Sequence, residues 1–313
     1  MTDTQTAPAG PSSGTGLQGS APTPDLGRRL RPGETAIRGG LLLAALLSVG
    51  ITVGIVVALV EPVLSFFRQV DVGEFFAVEG DFAVLPLVSG TLMVTLIALL
   101  VAVPLGLGAA MYLSEYASPR TRRALKPTVE LLAGVPSVVY GFFALAFVTP
   151  ALLQDLLRLD VGFTNALAAG LVLGVMIVPT VASLSEDAFS AVPQAMRDGS
   201  LAMGANRMQT TLRVVLPAAL SGVAAAVVLG MSRAIGETMI VALAAGAQRN
   251  LSLDPREGMQ TMTGFIAQTA AGENPVGSVS YNMLFAVGLL LFVITFAINM
   301  VSTTIVRRYR QAY

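Results

Sequence analysis

The sequence predicts an all-α membrane protein with six transmembrane helices, and three observations carry that expectation. Hydrophobic residues make up 54% of the 313 residues and charged residues 12%, about half the charged share of a soluble domain. The apolar residues gather into six runs, each long enough for the roughly 20 residues that cross a bilayer core. The arginines fall mostly into alternate loops between those runs, the charge asymmetry of a multi-pass protein.

The chain opens with Met1–Gly27, rich in Thr, Pro, Gly, Ser and Ala and without an apolar period. Such a composition buries too little apolar surface to offset its ordering entropy, so residues 1–36 are expected to form a disordered cytoplasmic tail. No basic residue precedes Arg28, which argues against a secretory signal. Leu30-Arg31-Pro32 interrupts the apolar continuation that a twin-arginine export signal needs. A single transmembrane domain is expected over residues 37–313.

The first span is expected over Ile37–Val60. The loop after it, Glu61–Asp81, is acidic and reads as a solvated loop. The second span, Leu85–Leu113, and the fifth, Val214–Ala245, exceed the length required, so they tilt, break or protrude. The third is expected over Val129–Leu153, the fourth over Thr164–Leu184 and the sixth over Asn282–Val306. Pro104, Pro136 and Pro179 then fall inside spans, where neighbouring groups must satisfy the freed carbonyls. Glu130 falls at the start of the third span, where a carboxylate favours a helix N-terminus. Gly50/Gly54 and Gly170/Gly174 have the small-xxx-small spacing of close helix packing, a pattern frequent enough in glycine-rich helices to carry little weight. Between the fifth and sixth spans, Met259–Ala271 is apolar enough to lie on the membrane surface or re-enter it, as part of a docking surface for a delivery protein.

Charge sets the orientation. One set of loops holds Arg28, Arg29, Arg31 and Arg38, then Arg120, Arg122, Arg123 and Lys126, then Arg197, Arg207 and Arg213, then Arg307, Arg308 and Arg310. The opposite set holds Arg68, Arg158, Arg249 and Arg256. The positive-inside rule therefore places both termini, and the loop around Asp198, in the cytoplasm.

That loop, about residues 185–213, has its own pattern. Pro193 suits the first turn of a helix, and Gly204 can reverse the backbone between two short helices because glycine tolerates positive φ. Met196, Leu201, Met203, Met208 and Leu212 supply apolar knobs that suit a partner's groove. Asp198-Gly199-Ser200, Gly204, Val214 and Leu216-Pro217 resemble the E-A-A-x3-G-x9-I-x-L-P cytoplasmic loop of ABC importer permeases, with the Gly and Leu-Pro spacing kept and the first three residues and the Ile replaced. Ser232-Arg233-Ala234-Ile235-Gly236-Glu237-Thr238-Met239 resembles the R-x-x-G-E-T-M stretch of phosphate importer permeases, and Leu131 to Gly141 is close to the same family's third-helix motif. Gly-Glu-Thr-Met, rather than Gly-Glu-Thr-Ala-Pro, favours the PstC-type subunit over the PstA-type.

The resemblance implies a type I (MetI-like) ABC importer permease fold, with Asp198, Gly199, Ser200, Gly204, Leu216 and Pro217 in the ATPase-coupling loop. It implies a PstA-like second permease, PstB-like ATPases and a PstS-like extracytoplasmic phosphate-binding protein as partners, inorganic phosphate as the transported anion and membrane lipid as the surroundings. No nucleic acid partner is implied. Arg233, Glu237, Thr238 and Ser137 are the expected substrate path, the weight on Ser137 coming from the resemblance alone. The alternatives are a PstA-type subunit, a sulfate or molybdate permease of the same fold, and a secondary transporter or channel, which would carry its own ion-coupling groups in repeated broken helices.

Arg233 and Glu237 also stand out on physical grounds. Four apart, they would share a helix face. An intramembrane arginine costs about 2.5–3.5 kcal/mol to insert, and an i,i+4 pair returns only about 0.2–0.5 kcal/mol. Pairing does not account for them, so a wet path or a subunit interface should. Arg233 presents a planar donor fork suited to phosphate oxygens. Glu237 would hold Arg233 or accept a proton from hydrogen phosphate.

Several chemistries are excluded. Cysteine and histidine are absent, so there is no disulfide, no Cys/His metal site and no histidine general base. No catalytic residue, metal or cofactor is expected. The one lysine, Lys126, follows Leu125, whereas a phosphate-binding Walker A loop needs Gly-Lys-Ser/Thr. ATP hydrolysis is thus expected from a separate polypeptide.

Overall fold

Apolar residues on every side make α1 (Pro32–Phe67) a helix suited to lipid contact. The computed structural model describes residues 32–308, leaving most of the expected tail, with Arg28, Arg29 and Arg31, and also Arg310, outside the described residues. The chain divides into two units, one to Gly54 and one from Ile55. In the first, α1 starts a little before the predicted Ile37, and its side chains from Ala36 to Gly54 are all exposed.

The second unit holds the rest of α1, then α2 (Val72–Phe75), α3 (Leu85–Met111), α4 (Pro119–Leu132), α5 (Ser137–Phe143), α6 (Ala166–Ser190), α7 (Gln194–Ala202), α8 (Arg207–Thr210), α9 (Leu216–Ile235), α10 (Met239–Ala244), α11 (Met262–Ala271) and α12 (Val279–Arg308). Wider, π-type turns extend α3 through Tyr116, extend α5 through Leu156 and join α8 to α9. Among the described residues six helices are long and apolar enough to cross a membrane: Ala36–Phe67, Leu85–Tyr116, Ser137–Leu156, Ala166–Ser190, Arg207–Ile235 and Val279–Thr304.

Two expected spans are corrected. Val129–Leu132 belong to α4, not to the third span, because Ala133-Gly134-Val135-Pro136 breaks the helix and Pro136 precedes α5. Pro136 is therefore outside the span, and Glu130 lies two residues from the C-terminal end of α4, the wrong end for a favourable dipole contact. The fifth span stops at Ile235: Gly236-Glu237-Thr238 is non-helical, and α10 is a separate element.

The centre of the unit is α6 packed on α3. Large side chains of α3 face outward at Leu92, Leu96 and Leu100, whereas Val94, Ala98 and Ala102 are buried. Association in lipid depends on close van der Waals approach, which small residues permit. Gly170 and Gly174 use that property, against the little weight their spacing earned. A Cβ on Gly170 would lie 2.6 Å from the Ile97 Cβ, and one on Gly174 2.8 Å from the Ala98 carbonyl oxygen. Gly170→Leu should force the two helices apart at a cost of about 1–3 kcal/mol, read as a lowered melting temperature in detergent. Gly108→Ala, where nothing lies within 4 Å, should melt close to the parent.

A buried asparagine starts α6. Asn165 Oδ1 accepts from Ala168 N at 2.7 Å, and its Nδ2 donates to the Gly162 carbonyl at 2.9 Å and Thr149 Oγ1 at 3.3 Å. A second apolar cluster gathers Phe66, Phe75, Leu87, Met262, Phe265, Met283 and Val287, bringing α11 into contact with the ends of α1, α3 and α12. Met259–Phe265, the first part of the segment expected on the membrane surface or re-entering it, is buried in protein.

Candidate functional site

The loop between α6 and α9 folds as its residues predict. Pro193 precedes α7, and Gly204 turns the chain toward α8 with φ +86°. Asn206 opens α8 with a reciprocal cap: its Oδ1 accepts from Gln209 N at 2.8 Å, and Gln209 Oε1 accepts from Asn206 N at 3.0 Å. Ser200 Oγ lies 3.0 Å from Thr210 Oγ1, tying α7 to α8. Asp198 and Gly199 are exposed, the Asp198 carboxylate accepting from Gln194 Nε2 at 3.0 Å. Leu216 and Pro217 lie in the first turn of α9. Of the apolar knobs, Leu201, Met203, Met208 and Leu212 are exposed, Met203 by 89%, whereas Met196 packs inward on the cluster of Phe189, Val192 and Val215.

Beneath this loop sits an ionic clasp that sequence reasoning missed. Glu186, fully buried on α6, pairs with Arg122 and, at 2.6 Å, with Lys126, both on α4. Lys126 also pairs with Asp187 at 2.8 Å. The Asp187 and Glu186 hydrogen bonds hold the Lys126 ammonium above the ordinary lysine value, outweighing the opposing effect of burial. Arg197 on α7 donates to Glu115 at 2.8 Å, to the Val192 carbonyl at 2.6 Å and to the Phe189 carbonyl at 2.7 Å. One guanidinium therefore closes the last turn of α6, the start of α7 and the end of the second span together. In the sequence these arginines give only an orientation signal. A carboxylate near the end of an apolar run, Glu186, was the available sign that some needed partners.

The second candidate site is the break between α9 and α10. Gly236 ends α9, so Arg233 and Glu237 do not share a helix face, and they form no ion pair among the described residues. The Glu237 carboxylate instead accepts from Met239 N at 3.1 Å and Ile240 N at 3.4 Å, capping α10. Free backbone donors at a helix start and the positive end of its dipole explain that choice. The Glu237 carbonyl accepts from Thr263 Oγ1 at 2.6 Å, and Thr91 Oγ1 accepts from Met262 N at 2.9 Å, so α11 is tied both to the break and to α3. Thr238 Oγ1 donates to the Gly236 carbonyl at 3.3 Å.

Arg233 is exposed and makes no side-chain hydrogen bond among the described residues. Its depth follows from its neighbours: a Cβ on Gly230, one turn earlier, would touch Ile177 and Val181, which lie midway along α6. Ser137 opens α5, and one turn on, Gly141 meets the Met239 carbonyl and Leu243 of α10. Ser137 is thus on a helix packed against α10, but among the described residues no hydrogen bond joins it to Arg233.

The description "binding-protein-dependent transport system inner membrane component" fits residues 102–311, which include both candidate sites. The chain belongs to that family. A probable ABC transporter permease protein, YqgH of Bacillus subtilis, is 40% identical over 70% of each chain. A phosphate transport system permease protein, PstC 1 of Mycobacterium tuberculosis, is 38% identical over 74% of each chain, and the PstC protein of Mesorhizobium japonicum is 34% identical over 71% of this chain and 72% of its own. Among solved structures, a bacterial alginate ABC transporter chain superposes with a TM-score of 0.63 at 18% identity, over 89% of this chain and 98% of its own. A chain of the MetNI methionine ABC transporter in an inward-facing conformation gives 0.55 at 20%, over 73% and 94%. These likenesses give the fold: a type I ABC importer permease. As a member of this family, the protein is a multi-pass inner membrane component.

Proposed function

We propose that the protein is a permease subunit of an ATP-driven phosphate importer of the PstC type, forming the path for inorganic phosphate with a second, PstA-like permease. The observation that carries the proposal is Arg233. It stands exposed, without a carboxylate partner among the described residues, three residues before a helix break and one turn beyond Gly230, which is level with the middle of α6. A cation at that level of a membrane span is costly unless an anion, water or another subunit meets it. The match to proteins named phosphate transport system permease protein PstC supports phosphate as the anion. Arg233, Thr238 and Ser137 face or border the path, and Glu237 shapes it by fixing the start of α10.

In this scheme residues 37–313 are one transmembrane domain, and residues 185–213 are the loop that separate, PstB-like ATPases engage. The exposed knobs Leu201, Met203, Met208 and Leu212 enter the ATPase groove. A PstS-like binding protein delivers phosphate to the opposite face. There the segment after α10 carries Arg249, whose Nη1 donates to the Asp81 carbonyl at 2.6 Å and whose Nε donates to Gln260 Oε1 at 3.0 Å. The test is uptake of labelled phosphate into proteoliposomes holding the permease with its partner subunits and binding protein. ATP-dependent phosphate uptake is expected. Sulfate or molybdate uptake in its place would transfer the protein to another anion, and uptake without ATP would remove it from this class.

The loop arginines support a cytoplasmic position for both termini. Reporter fusions after Ser118 and after Gly272 should then report opposite sides, the first cytoplasmic. Two fusions reporting one side would overturn that topology.

A further inference from the structure

A cavity of about 320 Å³ lies between α4, the end of the second span and the α7–α8 pair. Its lining includes Arg122, Arg197 and Arg207 against one carboxylate, Glu115, with hydroxyls from Ser190 and Thr210. The donors divide sharply. Arg197 is spent on Glu115 and on the Phe189 and Val192 carbonyls. Arg122 uses Nη2 on Glu186 and Ser190, leaving Nε and Nη1 without a hydrogen-bond partner among the described residues. The Arg207 guanidinium makes no hydrogen bond and no ion pair among the described residues. The cavity thus carries more positive charge than its carboxylate answers, and guanidinium donors from two different helices are left over. Its volume admits an anion together with several waters.

We propose that this cavity is a binding site for a tetrahedral oxyanion, held between Arg207 of α8 and the free edge of Arg122 on α4. Guanidinium forks match the spacing of two oxygens on one tetrahedral centre. An anion there would bridge the coupling loop to the helix beneath it and favour the arrangement with the clasp closed. Oxyanion in the compartment the loop faces would thereby restrain movement of α7 and α8. Where the transported anion is itself an oxyanion, the site reports accumulated product; that role rests on the phosphate proposal, whereas binding does not. The same chemistry could be supplied by free inorganic phosphate or by an anionic lipid headgroup.

The experiment uses the permease assembled with its partner subunits in nanodiscs, without nucleotide or binding protein, and measures equilibrium binding of labelled phosphate with sulfate as competitor. In phosphatidylcholine discs, Arg207→Gln should weaken one phosphate site at least about tenfold, the loss of one charge-assisted contact, while Arg233→Gln leaves that site intact. Arg207→Gln removes no hydrogen bond seen in the fold, so assembly should survive, and Arg207→Lys should recover part of the binding. In phosphatidylglycerol discs, a headgroup source would show as suppressed phosphate binding, with anionic lipid co-purifying with the parent and not with Arg207→Gln. Equal phosphate binding and equal retained lipid in parent and Arg207→Gln would overturn the proposal, as would loss of all binding in Arg233→Gln alone. A complex that binds through Arg207 yet takes up no phosphate would overturn the transport proposal and leave this one standing.

Discussion

Arg233→Gln is expected to cut phosphate uptake to about a tenth to a hundredth of the parent rate or below, with the complex still recovered whole. The magnitude follows from one charge-assisted hydrogen-bonding partner, worth about 1.5–3 kcal/mol, at about 1.4 kcal/mol per factor of ten. Arg233 makes no side-chain hydrogen bond or ion pair among the described residues that its loss would break, so assembly should persist. Arg233→Lys keeps the charge and loses the fork, and should retain part of the uptake. Glu237 behaves differently from its expected role as partner of Arg233. Because its carboxylate caps α10, Glu237→Gln keeps an acceptor and should cost less than Glu237→Ala, which removes it. Full uptake by Arg233→Gln would take the residue out of the path. Failed assembly would make it part of a subunit interface.

What the sequence disclosed and what it concealed divide along physical lines. Spans are legible because lipid selects for composition over a length of helix: all six apolar runs appear as helices, although the third starts at Ser137 rather than Val129 and the fifth ends at Ile235 rather than Ala245. The turn at Gly204 was legible because only one residue type readily adopts positive φ, and its φ is +86°. The break at Gly236 was not. A single glycine inside an apolar run is tolerated by a membrane helix, and the deciding contacts come from Thr263 and Thr91, 26 and 171 residues away from their partners. The clasp was hidden for the same reason: Arg122 and Glu186 are 64 residues apart, and Arg197 and Glu115 are 82 apart. Counting charges gives the side of the membrane but not the pairing. The Gly170/Gly174 contact lay between these cases, since its spacing was visible and the facing surface of α3 was not.

Gly204→Val should leave the permease inserted and assembled but uncouple ATP hydrolysis from uptake. Nothing lies within 4 Å of the position a Cβ would take, so the effect is not a clash. It is conformational: φ +86° is a region where L-residues pay about 1–2 kcal/mol and β-branched ones more. The turn it supports is short. Gly204 N donates to the Leu201 carbonyl at 3.0 Å, and Ala205 N to the Ser200 carbonyl at 3.2 Å. A valine that relaxes to negative φ would pull those bonds apart and change how the exposed Met203 and Met208, on either side of the turn in sequence, are presented. The clasp below, from Arg197 to Glu115 and from Glu186 to Arg122 and Lys126, would still hold the base of the loop, which is why insertion and folding should persist. Two companions separate backbone from side chain. Gly204→Asn, whose side chain tolerates left-handed backbone, should keep most of the coupling. Gly199→Ala, within α7 and with open space around it, should keep all of it and firm the helix by roughly 0.5–1 kcal/mol. The measurement is ATP hydrolysed per phosphate taken up in proteoliposomes. A normal ratio for Gly204→Val would mean that the α7–α8 turn is not where the ATPase drives this permease.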